Sequence, residues 1–127
     1  MKMNAAVKAK WLEALRSGRF PQTHGTLRDK VGYCCLGVLT ELAQNEGVCK
    51  MKSLDGEHHE YLPVDSDPGL YGETAGLLGV VQDWAGIRNS TAPELDYAKY
   101  GVSSVIGLND ELRLTFAQIA DVIEYEF

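Results

Sequence analysis

The residues of this chain that could do chemistry fall into three sets. Three cysteines and three histidines (Cys34, Cys35, Cys49, His24, His58 and His59) are of the types that hold zinc. No C-x₂-C or H-x₃₋₅-H pair occurs among them, so neither a metal nor a cofactor is expected. Adjacent residues such as Cys34 and Cys35 also point about 100° apart on a helix, which lets at most one face a shared site. The second set is nucleophile and base. Cys34 stands near the start of an apolar helix, where the dipole lowers a thiol pKa, and His24 lies in the preceding loop. Cysteine is also among the most buried residue types, and the apolar surroundings favour an inert Cys34. Asp110 and Glu111, beside Asn109, are the carboxylates best placed to act as a base, in a turn expected between a strand and a helix. A polar turn serving structure is the commoner arrangement.

The third set binds rather than reacts. Residues 19–32 form a connector rich in glycine and basic groups, leading into the apolar run Tyr33–Ala43. A polar, basic loop entering a buried helix is where an anion meets free backbone N–H groups. The candidate ligand-binding residues are therefore Gln22, His24, Arg28, Lys30, Asn109 and Asp110. Arg28 or Lys30 would hold a phosphate and Asn109 a base or ribose edge. Thr26-Leu27 and Val31-Tyr33 are expected to pair as a short hairpin over Arg28-Asp29-Lys30.

The elements that must position these groups follow from hydrophobic period. Val7, Trp11, Ala14 and Leu15 repeat at helical spacing within residues 4–17, and Gly18 supplies the stop. Cys35, Val38, Leu39 and Leu42 do the same within 34–46, ended by Gly47. Leu36 and Ala43 widen that stripe until it needs more than one neighbour, so this is the expected central helix. Gly37, unfavourable in a helix interior, suggests that another backbone crosses there. Leu77, Val80, Val81 and Trp84 predict a third helix over 77–85, with Gly86 behind it. Phe116, Ile119, Ala120, Ile123 and Phe127 predict a fourth, opened by the capping-box pattern Thr115-x-x-Gln118. Its acids Asp121, Glu124 and Glu126 oppose the helix dipole and invite basic partners, the first helix among them. Short strands are expected near Val48–Met51, Tyr61-Leu62 and Val102–Ile106, with long loops at 55–76 and 88–100. The expected architecture is α+β: one domain over residues 1–127, about four helices around a central buried helix, with a small antiparallel sheet.

The totals exclude several functions. A chain of 127 residues carries a net charge of −6, but residues 1–32 hold seven Lys/Arg against two acids while residues 33–127 hold five against sixteen. An acidic body argues against duplex DNA and against a helix-turn-helix reader. The basic N-terminal quarter suits a small anion, a nucleotide or an acidic partner. No apolar run approaches the roughly 20 residues of a membrane span, and no signal-peptide pattern is present, so a cytoplasmic protein is expected.

Several segments together resemble a group of small, largely uncharacterised proteins of bacteriophages and prophages. The specific part is Tyr33-Cys34-Cys35-Leu36-Gly37-Val38-Leu39. It is joined by Trp11…Ala14-Leu15-Arg16-Ser17-Gly18, Gln22-x-x-Gly25-x-Leu27, Val81-x-x-Trp84-Ala85-Gly86, Leu108-Asn109-Asp110 and Phe116-x-x-Ile119-Ala120-Asp121-x-Ile123-Glu124. The chain departs from that pattern at Leu77-Leu78, where Leu-Pro is expected, and over 55–76, which reads as an insertion. The resemblance implies a viral setting and a fold, without a reaction. The expected function is capture of a nucleotide-like anionic ligand, such as an immune signal, or of a host protein, to counter host defence. Homo-oligomerisation is compatible with such a site. The alternative is a small nucleotide-acting hydrolase or transferase using Asp110 or Glu111 as base, or Cys34 as nucleophile.

Overall fold

A computed structural model describes residues 3–127 apart from Leu54, Pro68, Ala92 and Pro93. Pro68, expected in the long loop, thus lies outside the described residues. The central helix α2 (Cys35–Asn45) is buried on all sides over Cys35–Thr40, and Ala43 is also buried. A helix apolar all round must be covered all round. Around α2 pack α1 (Ala5–Arg16), β1 (Cys49–Ser53), α3 (Gly79–Ala85) and α5 (Val105–Asp110). The last helix, α6 (Phe116–Glu126), packs on α1 and α5. β2 (His59–Pro63) pairs antiparallel with β1, with Met51 opposite Tyr61, and α4 (Tyr97–Tyr100) is a single turn capped by Asp96. Among the described residues there are thus six helices, four of them with seven or more residues, and one two-stranded sheet: an α+β fold.

Local chemistry explains the helix ends. Asn4 caps α1 by accepting from Val7 N, and Thr115 and Gln118 form the reciprocal capping box of α6. Gly18, Gly47 and Gly86 all take positive φ just beyond their helices. α1 buries Val7, Trp11, Ala14 and Leu15 as their spacing requires, and the Trp11 indole donates to Cys35 O at 2.9 Å. The surplus acid of α6 is met from α1: Arg16 forks to Asp121 and Glu124 at 2.8 and 3.2 Å, and Lys8 donates to the Glu124 carbonyl.

Two expectations are corrected. Val102–Ile106 is not a strand. Residues 101–103 form a bend, Ser104 alone is extended in an isolated bridge to Glu94, Ser103 O accepts from Leu95 N, and α5 begins at Val105. Val105 and Leu108, one helical turn apart, are both fully buried, and α5 packs on α2, so tertiary contact overrides β propensity. The third helix starts at Gly79 rather than Leu77. Its buried face is Val81 and Ala85, while Val80 is exposed.

Gly37 is where the connector docks. A Cβ there would collide with the Leu27 carbonyl, so the connector crosses directly on the α2 backbone. A hairpin forms at this crossing in a register shifted from the expected one: Arg28 pairs with Tyr33 instead of standing in the loop, Asp29 N donates to Gly32 O across the tip, and Cys34 N donates to Leu27 O. The Thr26 hydroxyl and Leu27 N bond to Thr74 O instead of to residues 31–33. The chain before it, at Gln22, runs parallel to Tyr33, with Tyr33 N bonded to Pro21 O.

Candidate functional site

The six residues expected to bind a ligand separate into two groups. Gln22, Asn109 and Asp110 are joined in a structural network. Gln22 Nε2 donates to Asn109 Oδ1 and to Leu114 O, both at 2.8 Å. Asn109 Nδ2 donates to Thr23 O at 3.0 Å and to Asp110 Oδ1 at 2.8 Å, and the same Asp110 oxygen accepts from Gly25 N. Asn109 is fully buried and has committed its amide. These side chains tie the connector to the end of α5, which is a helix end rather than the expected turn after a strand. His24 is half-buried beside them and is not among the residues that line the cleft described next.

Arg28 and Lys30 form the other group. They line a cleft of about 380 Å³ together with Thr26, Asp29 and Val31 of the hairpin. The opposite wall is Glu57, His58 and His59, at the β1–β2 turn and the start of β2, and Thr74 completes it. Thr74 reaches this place because the chain after β2 folds back. Tyr61 and Glu73 exchange both backbone hydrogen bonds at 2.9 Å, and Thr74 O accepts from Leu27 N and Thr26 Oγ1.

Asp29 organises the hairpin tip. Its Oδ1 accepts from Val31 N and Gly32 N, and its Oδ2 from the Thr23 hydroxyl at 2.8 Å. Burial pushes this carboxyl up, but those three donors outweigh it and hold it below its ordinary value. Asp29 therefore stays an anion that is already spoken for. Arg28 lies over the Tyr33 ring, 5.0 Å from its centroid, and 3.7 Å from Glu41 Oε2. The Tyr61 hydroxyl also donates to that Glu41 oxygen, so one buried edge of the guanidinium is fixed. Lys30 meets Glu57 at 3.1 Å in an exposed pair. His58 pairs with Asp55, whose other oxygen caps Glu57 N and His58 N. His59 is 8% exposed, and its Nδ1 is buried with no hydrogen-bond partner. Leaving such a nitrogen unpaired costs about 1–3 kcal/mol.

The cysteines stand apart from the cleft. Cys34 is the N-cap of α2, its sulfur accepting from Gly37 N at 3.4 Å, but burial pushes its thiol up to about 11. Burial also raises Cys35 well above its ordinary value, and Cys49 to about 11. A thiol so protonated is a poor nucleophile at neutral pH. Among the described residues no group of three or more His, Cys, Asp or Glu side chains is placed to hold a metal ion.

A family model matches residues 3–127. The chain belongs to the family described as domain of unknown function DUF8296. No curated protein and no solved structure matches it. The DUF8296 match covers both walls of the cleft and the connector network alike. No helix among the described residues is long and apolar enough to cross a membrane.

Sequence reasoning missed Thr26, Asp29, Val31, Glu57, His58, His59 and Thr74 as lining residues. The polar run Glu57-His58-His59-Glu60 beside the Asp55-Gly56 turn was the available signal for one wall. Thr74 carried none, because its position depends on the return of the chain onto Tyr61.

Proposed function

We propose that this is a non-enzymatic binding protein that captures a small, nucleotide-like ligand through its anionic group, in the cleft between the 27–34 hairpin and the β1–β2 turn. One observation carries the reading. In a chain of net charge −6, Arg28, Lys30, His58 and His59 line a single cleft. Asp29 and Glu57 share the lining and balance Arg28 and Lys30, so the cleft is formally neutral within an acidic body. That leaves it a better place for a small anion than the surface around it, while the body repels polyanionic duplexes. The group best suited to act as nucleophile, Cys34, is buried outside this cleft. Asp110 is held by the connector instead. The viral setting, and with it the host-cell cytoplasm and an immune signal as target, is supported by the resemblance of Tyr33–Leu39 and its companion segments to phage proteins.

Native mass spectrometry of the purified protein, alone and with added nucleotides, tests the reading. The wild type is expected to carry a nucleotide-sized mass that is released unchanged. Arg28→Gln/Lys30→Gln should lose it by about tenfold or more in affinity, the weight of two charge-assisted contacts. Undiminished capture by the double variant would remove the ligand from this cleft, and release of a converted product would make the protein an enzyme.

A further inference from the structure

The two walls of the cleft are joined at the surface by one ion pair. Lys30 Nζ lies 3.1 Å from Glu57 Oε1, with side chains 66% and 55% exposed. A pair this exposed is weak and exchangeable, and a phosphate dianion offers the ammonium more charge and more acceptor oxygens than one carboxylate. The same wall that supplies Glu57 supplies His59, which is in the opposite condition. It is more than nine-tenths buried, it lines the cleft, and its Nδ1 has no partner. Buried polar atoms are nearly always paired; this nitrogen has almost no accessible surface in the free protein, so an incoming group meets it only once the His59 ring turns towards the cleft.

We propose that the cleft is a phosphate-monoester site whose lysine is occupied, in the free protein, by the protein's own Glu57. The ligand's phosphate takes the place of the Glu57 carboxylate at Lys30, and the His59 ring turns so that Nδ1–H donates to one of its oxygens. This rests on the anion-binding reading of the cleft and adds to it the ligand class, a resident competitor and a buried contact. Glu57 lowers affinity, although it sits in the site, and His59 raises it. Arg28 contributes charge from the Tyr33 ring without leaving Glu41.

The test is a titration of the full chain with inorganic phosphate and, separately, with AMP, followed by NMR of backbone amides and of the His59 ring nitrogens. Glu57→Gln, an exposed substitution, is run beside the wild type. Glu57→Gln should bind about two- to fivefold tighter, the weight of one exposed ion pair. In the wild type the His59 Nδ1 resonance should move and saturate together with the Lys30 amide. AMP binding tighter than inorganic phosphate assigns a nucleotide, and equal affinities assign free phosphate. Saturable binding with unchanged affinity in Glu57→Gln overturns the competitor role, and a static His59 signal overturns the buried contact; either leaves the anion-binding reading standing. The absence of saturable change with both probes overturns that reading as well.

Discussion

At the β1–β2 turn a single carboxylate sets the shape of one cleft wall. Asp55 accepts from the backbone N–H groups of Glu57 and His58 and pairs with the His58 ring at 2.8 Å. The side-chain hydrogen bond to His58, with the two backbone donors, holds Asp55 down to about 2, and the same bond raises His58 above its ordinary value. The signs define a window. A lowered carboxyl contributes stability above its unfolded value of 3.8 that fades as pH falls through about 2. A raised imidazole contributes below its unfolded value of 6.5 and fades as pH rises through its higher folded value. The pair thus holds the turn fully between pH 3.8 and 6.5. A proton NMR titration should place the His58 midpoint above 6.5, and Asp55→Asn should return it towards that value. A wild-type midpoint below 6.5 would mean that the pair does not form in solution. The residue types here were legible in the sequence as a polar cluster. Their role was not, because it depends on Lys30, 27 positions earlier.

Among the elements, helices were more legible than the segments between them. Gly18, Gly47 and Gly86 mark helix ends through their positive φ, a local property of the backbone. The capping box of α6 is equally local. α5 was misread because Val102–Ile106 is rich in β-branched residues, whereas its conformation answers to burial of Val105 and Leu108. The crossing of the hairpin over α2 lies between these cases. Gly37 signalled a close approach, and the approaching atom is the Leu27 carbonyl, one residue before Arg28. Adding a methyl at Gly37 must push the hairpin away from α2, since the obstacle is backbone rather than a flexible side chain. Gly37→Ala should therefore destabilise the fold by about 1–3 kcal/mol, the usual range for overpacking, measured by urea unfolding, and should weaken anion binding by displacing Arg28 and Lys30. A variant as stable as wild type would show that the two backbones do not meet as described.

Over the whole molecule, the charge asymmetry of the sequence becomes a spatial one only in part. The basic N-terminal quarter divides. Arg16 and Lys8 answer the acids of α6, and Lys10 answers Glu46 at the end of α2. Arg19 answers Glu13 of α1, and Arg28 and Lys30 line the cleft. The fold class and the central helix were readable because they follow from hydrophobic period, and the basic half of the cleft because it follows from composition. The wall built by Glu57, His58, His59 and Thr74 needed the β1–β2 pairing and the return of the chain along Tyr61 before it could be seen. The connector residues Gln22, Asn109 and Asp110 were drawn to the site by their chemistry and instead hold α5 to the connector. The most direct test of a cleft that binds anions is therefore where the amide signals move when AMP is added to the isotope-labelled wild type. Binding in the cleft predicts saturable shifts at Thr26, Arg28 to Val31, Glu57 to His59 and Thr74, weakening as salt is raised. Shifts centred on Gln22, His24, Asn109 and Asp110, with the hairpin tip unmoved, would contradict it.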